Sequence, residues 1–166
     1  FSIDTDYWSS KKQIDFNQKK GILFVGNDSF RDYNFVLRLA SEMLDYEFTL
    51  ITSRINQNQV KSKNVKLING KWNESILTDQ ELKNIYENSR ITILPLMETI
   101  QPSGQSVTLQ SMNSGTPVLI TKTSGFWDEI SYENNKNIVF IKNNEINTWK
   151  ETIENIYSNT EQLEQL

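Results

Sequence analysis

The chain contains no cysteine and no histidine among its 166 residues. Disulfides, thiolate nucleophiles, zinc sites of the usual kind and Ser-His triads are therefore excluded within it. An imidazole base, if the activity requires one, must come from another segment. A reducing compartment is compatible with this composition.

An excess of basic residues is also missing, since 17 Lys and Arg stand against 21 Asp and Glu for a net charge of −4. This balance argues against a nucleic-acid partner. No run of about 18 apolar residues predicts a transmembrane segment, and no signal peptide opens the chain. We expect a cytoplasmic location, with a peripheral membrane contact of the full-length protein as the alternative. Because the chain begins with Phe1, we expect a fragment of a longer protein.

What the sequence does contain is an alternation of short apolar runs and amphipathic stretches. The length fits one domain with a substantial core. Strands are predicted at 21–26, 48–51, 65–68, 91–94, 118–121 and 138–141, and helices at 32–44, 78–88, 106–114 and 144–157. Such βαβ units predict an α/β fold, a Rossmann-like parallel sheet of about six strands with helices on both faces. We expect residues 1–19 to lead into a domain at 20–157, and the tail at 158–166 to be frayed or truncated.

In a parallel sheet, ligands bind beyond the carboxyl ends of the strands, so the loops that follow the strands are the candidate sites. In the first loop, Gly26 and Asn27 could line a cleft, and Arg31 could reach an anionic group. The alternative is a solvated loop in which Asp32 caps the helix. The loop lacks the G-x-G-x-x-G pattern of an ordinary dinucleotide site.

The segment from Pro102 to Met112 is the most informative, because a small flexible turn runs into a predicted helix. Unpaired backbone N–H groups and the positive end of the helix dipole meet at such a start and favour a diphosphate. Ser106 could equally be an ordinary N-cap. Gln110, further along the helix, could reach a ribose or lie on the surface.

Three other segments have both a functional and a structural interpretation. The loop with Gly70, Lys71 and Trp72 suits contact with a nucleotide base, although a tryptophan more often packs in a core. The segment 123–129, predicted as a turn and a short helix, could wall the cleft with its two aromatic residues or pack against the preceding helix. Asp4-Thr5-Asp6 is formally a D-x-D metal motif, but it precedes the first strand, so we expect no metal site.

Several segments, in order, resemble the C-terminal, nucleotide-sugar-binding half of GT-B glycosyltransferases of the family 4 type, the glycosyl transferases group 1. Residues 1–8, FSIDTDYW, resemble the family segment FGVDTxxF, and FVGND…RDY at 24–33 resembles its first strand and loop. Residues 82–95 match L-x-x-x-Y-x-x-[AS]…P. The most specific match is SGQSVTLQSMNSGTPVLI at 103–120, which is similar to SGxSxxLEAMAxGxPVI.

The resemblance implies a hexosyltransferase that uses a nucleotide-diphosphate sugar, retains the anomeric configuration and needs no cofactor or metal. This half would bind the donor, and an N-terminal half, absent from this chain, would bind the acceptor. The family's loop amides and its basic residue point to a diphosphate site at Arg31, Ser103, Gly104, Gln105, Ser106 and Val107.

The sequence also departs from the family pattern at one basic position and at two acidic positions. An upstream family arginine is replaced by Asn27, and the E-x7-E pair would fall on Pro102 and Gln110. Glu98 is then the remaining candidate for a catalytic carboxylate. Alternatives are a GT-B-shaped nucleotide-sugar epimerase or phosphorylase, or a non-catalytic α/β signalling module such as a receiver-like domain.

Overall fold

The computed structural model describes residues 2–10, 15–69 and 77–159. Its helices are α1 (Thr5–Trp8), α2 (Tyr33–Glu42), α3 (Asp79–Asn88), α4 (Gln105–Asn113) and α5 (Ile146–Ser158). Its strands are β1 (Ile22–Val25), β2 (Phe48–Ile51), β3 (Val65–Ile68), β4 (Ile91–Leu94), β5 (Val118–Thr121) and β6 (Val139–Ile141), with a 3₁₀ turn at Gln57–Gln59.

The strands form one parallel sheet in the order β3-β2-β1-β4-β5-β6. The predicted fold class is confirmed. Chain order reverses between β1 and β4, and loops leaving neighbouring strands diverge at such a switch point, which opens a crevice at the carboxyl edge. The fold therefore puts a potential ligand site between the loops that follow β1 and β4.

Both faces of the central strands are covered, so β4 and β5 are fully buried and β1 is continuously apolar. On one face, Ile22 and Phe24 pack with α2 and with Trp149 of α5. On the other, Leu23 and Leu94 pack with Tyr86 of α3 and with α4. Alternate residues of one strand thus enter two separate cores.

The predicted helices differ from the observed ones by one or two residues at most ends, because capping residues lie outside the helix. Asp32 is the N-cap of α2 and accepts a hydrogen bond from the Phe35 N–H at 3.0 Å. The capping box of Thr78 and Glu81 forms as predicted. The predicted helix in 123–129 is wrong, since that segment consists of turns and bends. The sequence also missed α1 and the 3₁₀ turn.

Residues 2–10 pack against α3 and α4 as part of the folded unit. The Trp8 side chain is buried, and its ring meets the Tyr86 ring edge to face at 6.0 Å. Lys83 Nζ donates to the backbone carbonyls of Tyr7 and Ser9 at 2.5 and 2.8 Å. Asn113 Nδ2 donates to the Thr5 carbonyl at 2.7 Å. Among the described residues, no helix combines the length and apolar character needed to cross a bilayer.

Lys19 fastens the segment before β1 to the far end of α4. Its buried ammonium donates to the Gly115 carbonyl and to Thr116 Oγ1, both at 2.8 Å. Burial lowers the pKa of Lys19 to about 8, and the charge of Glu87 opposes that shift.

Because the folded state lowers the pKa of Lys19, the free energy of unfolding should increase as the pH rises. Below pH 8 the amine is protonated in both states. Above pH 8 the folded state releases the proton while the unfolded state keeps it up to the ordinary pKa of 10.5, so the free energy of unfolding increases. Between pH 7.5 and 9.5 we expect a gain of about 2 kcal/mol. Urea unfolding of the chain and of Lys19→Met at both pH values measures it. Identical pH dependence in the two proteins would contradict this expectation.

Candidate functional site

The candidate site lies at the switch point, where the loops after β1 and β4 are joined by backbone hydrogen bonds. The Asp32 N–H donates to the Pro95 carbonyl at 2.9 Å, and the Met97 N–H donates to the Phe30 carbonyl at 2.8 Å. These bonds fix the first loop against the segment that leads into α4. The position of each loop therefore depends on the position of the other.

Gly104 is the N-cap of α4, at φ +91° in the left-handed region, and no side chain caps the helix. The alternative of Ser106 as an ordinary N-cap does not hold, because Ser106 lies inside the first turn of α4. The first N–H groups of α4 have no intrahelical partner, and together with the helix dipole they attract an anion.

The turn before α4 is only partly accessible. Ser103, Gly104 and Val107 are buried, whereas Gln105 and Ser106 are half-buried. Space around Gly104 is tight, because a Cβ there would lie 3.3 Å from Ile120 Cδ1 and 3.6 Å from a guanidinium nitrogen of Arg31. A ligand would therefore approach the amides from the side of Gln105 and Ser106.

Arg31 lies next to this turn, but its guanidinium already has anionic and polar partners. Only 3% of the residue is exposed. One terminal nitrogen lies 2.6 Å from Ser103 Oγ, to which it donates, and 3.0 Å from the Asp28 carboxylate. Burial lowers the pKa of Arg31, and the Asp28 charge opposes that shift. A Cβ on Gly26 would lie 2.5 Å from Arg31 Nε, so this glycine makes room for the buried side chain.

The loop after β2 contributes a cation that the sequence did not single out. Asn27 Oδ1 accepts hydrogen bonds from the Ser53 N–H at 2.6 Å and from the Thr52 and Ser53 hydroxyls at 3.0 Å. The Asn27 carbonyl accepts from Nε of the exposed Arg54 at 2.9 Å. No motif marked Arg54; the available signal was its position three residues after a strand of the predicted parallel sheet.

Gln110 and Glu98 both have partners inside the domain. Gln110 lies six residues after Gly104, about 9 Å along the helix axis, and its Oε1 is 3.5 Å from the Tyr86 hydroxyl. Burial raises the pKa of Tyr86, which keeps this hydroxyl protonated. Hydrogen bonds from the hydroxyl and the N–H of Ser124 lower the pKa of Glu98, so its exposed carboxylate is ionised at neutral pH and unsuited to donating a proton.

The loop after β5 packs directly on the loop after β4. The Gly125 N–H donates to the Thr99 carbonyl at 2.8 Å, and the Glu98 carboxylate accepts from the Ser124 N–H at 2.9 Å. Phe126 and Trp127 stack on each other, with ring centroids 4.3 Å apart. The two rings also contact Tyr132 and Phe140, and this group packs against the core on the α3–α4 face of the sheet.

Two predicted features lie away from this edge or outside the described part. Gly70, Lys71 and Trp72 fall in the undescribed range 70–76. Asp4 is the N-cap of α1 and accepts from the Tyr7 N–H at 3.0 Å. That contact gives Asp4 a structural role in the first helix.

A Rossmann-like sheet with an uncapped helix start at its switch point is the arrangement that nucleotide-binding α/β domains use. The sequence profile of the glycosyl transferases group 1 family matches residues 19–159, and the chain belongs to that family. No curated protein matches it significantly.

Solved structures agree on the fold, which is that of one GT-B domain. The C-terminal domain of LpcC, a glycosyl transferase group 1 family protein from Francisella tularensis, superposes with a TM-score of 0.71 at 15% identity, covering 99% of this chain and 92% of that one. HepE from Anabaena, in complex with UDP and glucose, gives 0.71 at 11% identity over 98% of this chain and 47% of that one. TarM gives 0.70 at 16% identity over 95% and 31%. The chain thus spans less than half the length of HepE and of TarM.

Proposed function

We propose that this chain is the donor-binding domain of a glycosyltransferase that moves a sugar from a nucleotide-diphosphate sugar to an acceptor, with retention of anomeric configuration. The observation that carries the proposal is the start of α4: a left-handed glycine without a side-chain cap, at the switch point of the sheet. Membership in the family and the UDP bound to the structurally similar HepE support the same assignment.

The proposed chemistry is electrostatic. When the bond between the anomeric carbon and the donor phosphate breaks, negative charge grows on the departing nucleoside diphosphate. The N–H groups at Gln105, Ser106 and Val107 are fixed in direction by α4, so they stabilise this charge without reorganising. Loss of one such donor typically slows a reaction by about 10²–10³-fold.

The proposal gives the remaining candidates roles around this diphosphate. Gln110 and the segment with Gly70, Lys71 and Trp72 would contact the nucleoside, and the ionised Glu98 would be the carboxylate that faces the sugar. The Gln110 side chain is neutral, so its contact to a ribose hydroxyl would be weaker than that of a carboxylate. The acceptor would bind to a part of the enzyme outside this chain.

A thermal-shift panel of UDP, GDP, ADP and CMP tests the proposal. We expect one nucleoside diphosphate to raise the unfolding midpoint, with UDP as the first candidate because HepE binds it. A ligand at 100 times its Kd adds about 2.7 kcal/mol to the stability of the folded state. CMP, with one phosphate, is the control for weak general anion binding. If no nucleoside diphosphate stabilises the chain more than CMP, the proposed function is wrong.

A further inference from the structure

The positive charge of Arg31 is paired with the Asp28 carboxylate inside the protein. Its guanidinium lies between Ser103 Oγ and the Asp28 carboxylate, and Ser103 Oγ also donates to Asp28 at 3.2 Å. The Asp28 side chain is 41% exposed, whereas that of Arg31 is 2% exposed. An anion approaching from solvent therefore meets the carboxylate first, and the pair is nearly neutral at a distance.

Arg54 lies on the other side of the same loop with its charge available. Its Nε is held by the Asn27 carbonyl, and it makes no ion pair in the described part of the chain. Asn27 in turn accepts three hydrogen bonds from Thr52 and Ser53, so the carbonyl that holds Arg54 is itself fixed.

The contacts of Tyr33 connect Arg54 to the turn before α4. The Tyr33 hydroxyl donates to the Asp28 carbonyl at 2.5 Å, and Arg54 is close enough to lower the pKa of this tyrosine, although burial raises it overall. Since the Asp28 side chain contacts Ser103, which precedes Gly104, these residues form a continuous set between Arg54 and the α4 amides.

We propose that Arg54 supplies the positive charge that binds the donor diphosphate, and that Arg31 with Asp28 braces the loop. This inference rests on the proposed function. The arginine that the family has at position 27 is replaced by asparagine, and Asn27 instead holds a guanidinium from the next strand's loop. Nε is engaged, and the terminal nitrogens of Arg54 have no hydrogen-bond partner among the described residues, so they can make a bidentate contact to phosphate oxygens.

Calorimetric titration with UDP and with uridine tests this assignment. We expect Arg54→Ala to weaken UDP binding by about tenfold or more, the typical strength of a charge-assisted hydrogen bond. Uridine affinity should stay unchanged, because uridine carries no phosphate. Arg54→Lys should recover part of the UDP affinity, since it keeps the charge but not the fork geometry. Arg38→Ala removes the same charge from the exposed face of α2 and serves as the matched control.

Three results would overturn the inference: equal UDP affinity in Arg54→Ala and the unaltered chain, an equal loss in Arg38→Ala, or a parallel loss of uridine binding. Failure of the proposed function has a different signature. In that case neither UDP nor any other nucleoside diphosphate binds the unaltered chain, whichever arginine is replaced.

Discussion

Gly104→Ala should remove most nucleotide binding and lower the free energy of unfolding by about 1–3 kcal/mol. Gly104 has φ +91°, which an alanine adopts only with strain, and the new methyl group would lie 3.3 Å from Ile120 Cδ1 and 3.4 Å from Leu94 Cδ1. Both neighbours belong to the strand ends beneath the helix and are fully buried. Because the strain at this φ is relieved when the backbone at position 104 rotates, we expect the first turn of α4 to shift, and with it the amides that we expect to bind the diphosphate.

Gly115→Ala is the matched control, because Gly115 also has a positive φ, +70°, but lies just past the opposite end of α4. It should cost comparable stability and leave UDP affinity intact. Urea unfolding and UDP titration of the two variants separate strain from binding. Equal UDP affinity in Gly104→Ala and Gly115→Ala would show that the α4 start is not the diphosphate site.

The strands and most helices could be predicted because each has a local cause. A run such as residues 22–25 is continuously apolar since both faces of the strand are buried. The capping box at Thr78 marks a helix start by two side chains close in sequence. The turn at Gly104 was found for the same reason, as a small flexible residue before a helix.

The start of α4 shows where local patterns fail. Ser106 has a typical capping side chain, yet the N-cap is Gly104, which contributes a backbone conformation and no side chain. Helix α1 is four residues long, and an isolated helix of that length is unstable in water. It depends on Lys83 and on the packing of Trp8, which are contacts to distant parts of the sequence.

The charges of the site are also determined by contacts between residues that are far apart in the sequence. Arg31 was predicted to reach an anion, but its closest partner is Ser103, 72 residues away, and no spacing rule in the sequence brings them together. Arg54 bonds to Asn27 across 27 positions. Tertiary contacts decide which of the two arginines is paired inside the protein, and the sequence patterns pointed to Arg31 alone.

Strand order distinguishes the alternatives for the fold. A receiver-like signalling module has the order 2-1-3-4-5, whereas this sheet has 3-2-1-4-5-6. That difference excludes the receiver-like form of the signalling alternative independently of the family match. Epimerases and phosphorylases of GT-B shape share the sheet, so only the reaction of the whole enzyme separates them from a transferase.

Gly125→Ala should lower both the stability of the fold and the affinity for UDP, because it disrupts the contact between the loops after β4 and β5. A Cβ at this position would lie 2.5 Å from the Ile100 carbonyl carbon and 2.7 Å from the Gln101 oxygen. Both are backbone atoms, so no side-chain rotation can relieve the overlap. The loops must separate, which breaks the hydrogen bond from Gly125 to Thr99.

We expect the free energy of unfolding to fall by about 1–3 kcal/mol or more, the usual cost of overpacking. UDP binding should weaken as well, because the displaced segment 97–103 leads directly into the α4 start. Ser124→Ala, one residue earlier and exposed, is the matched control, because it removes only the hydroxyl contact to Glu98 and keeps the backbone hydrogen bonds between the two loops. Urea unfolding and UDP titration measure both effects. If Gly125→Ala loses stability but binds UDP normally, the start of α4 is held by its own strand contacts, and the loop after β5 has no part in donor binding.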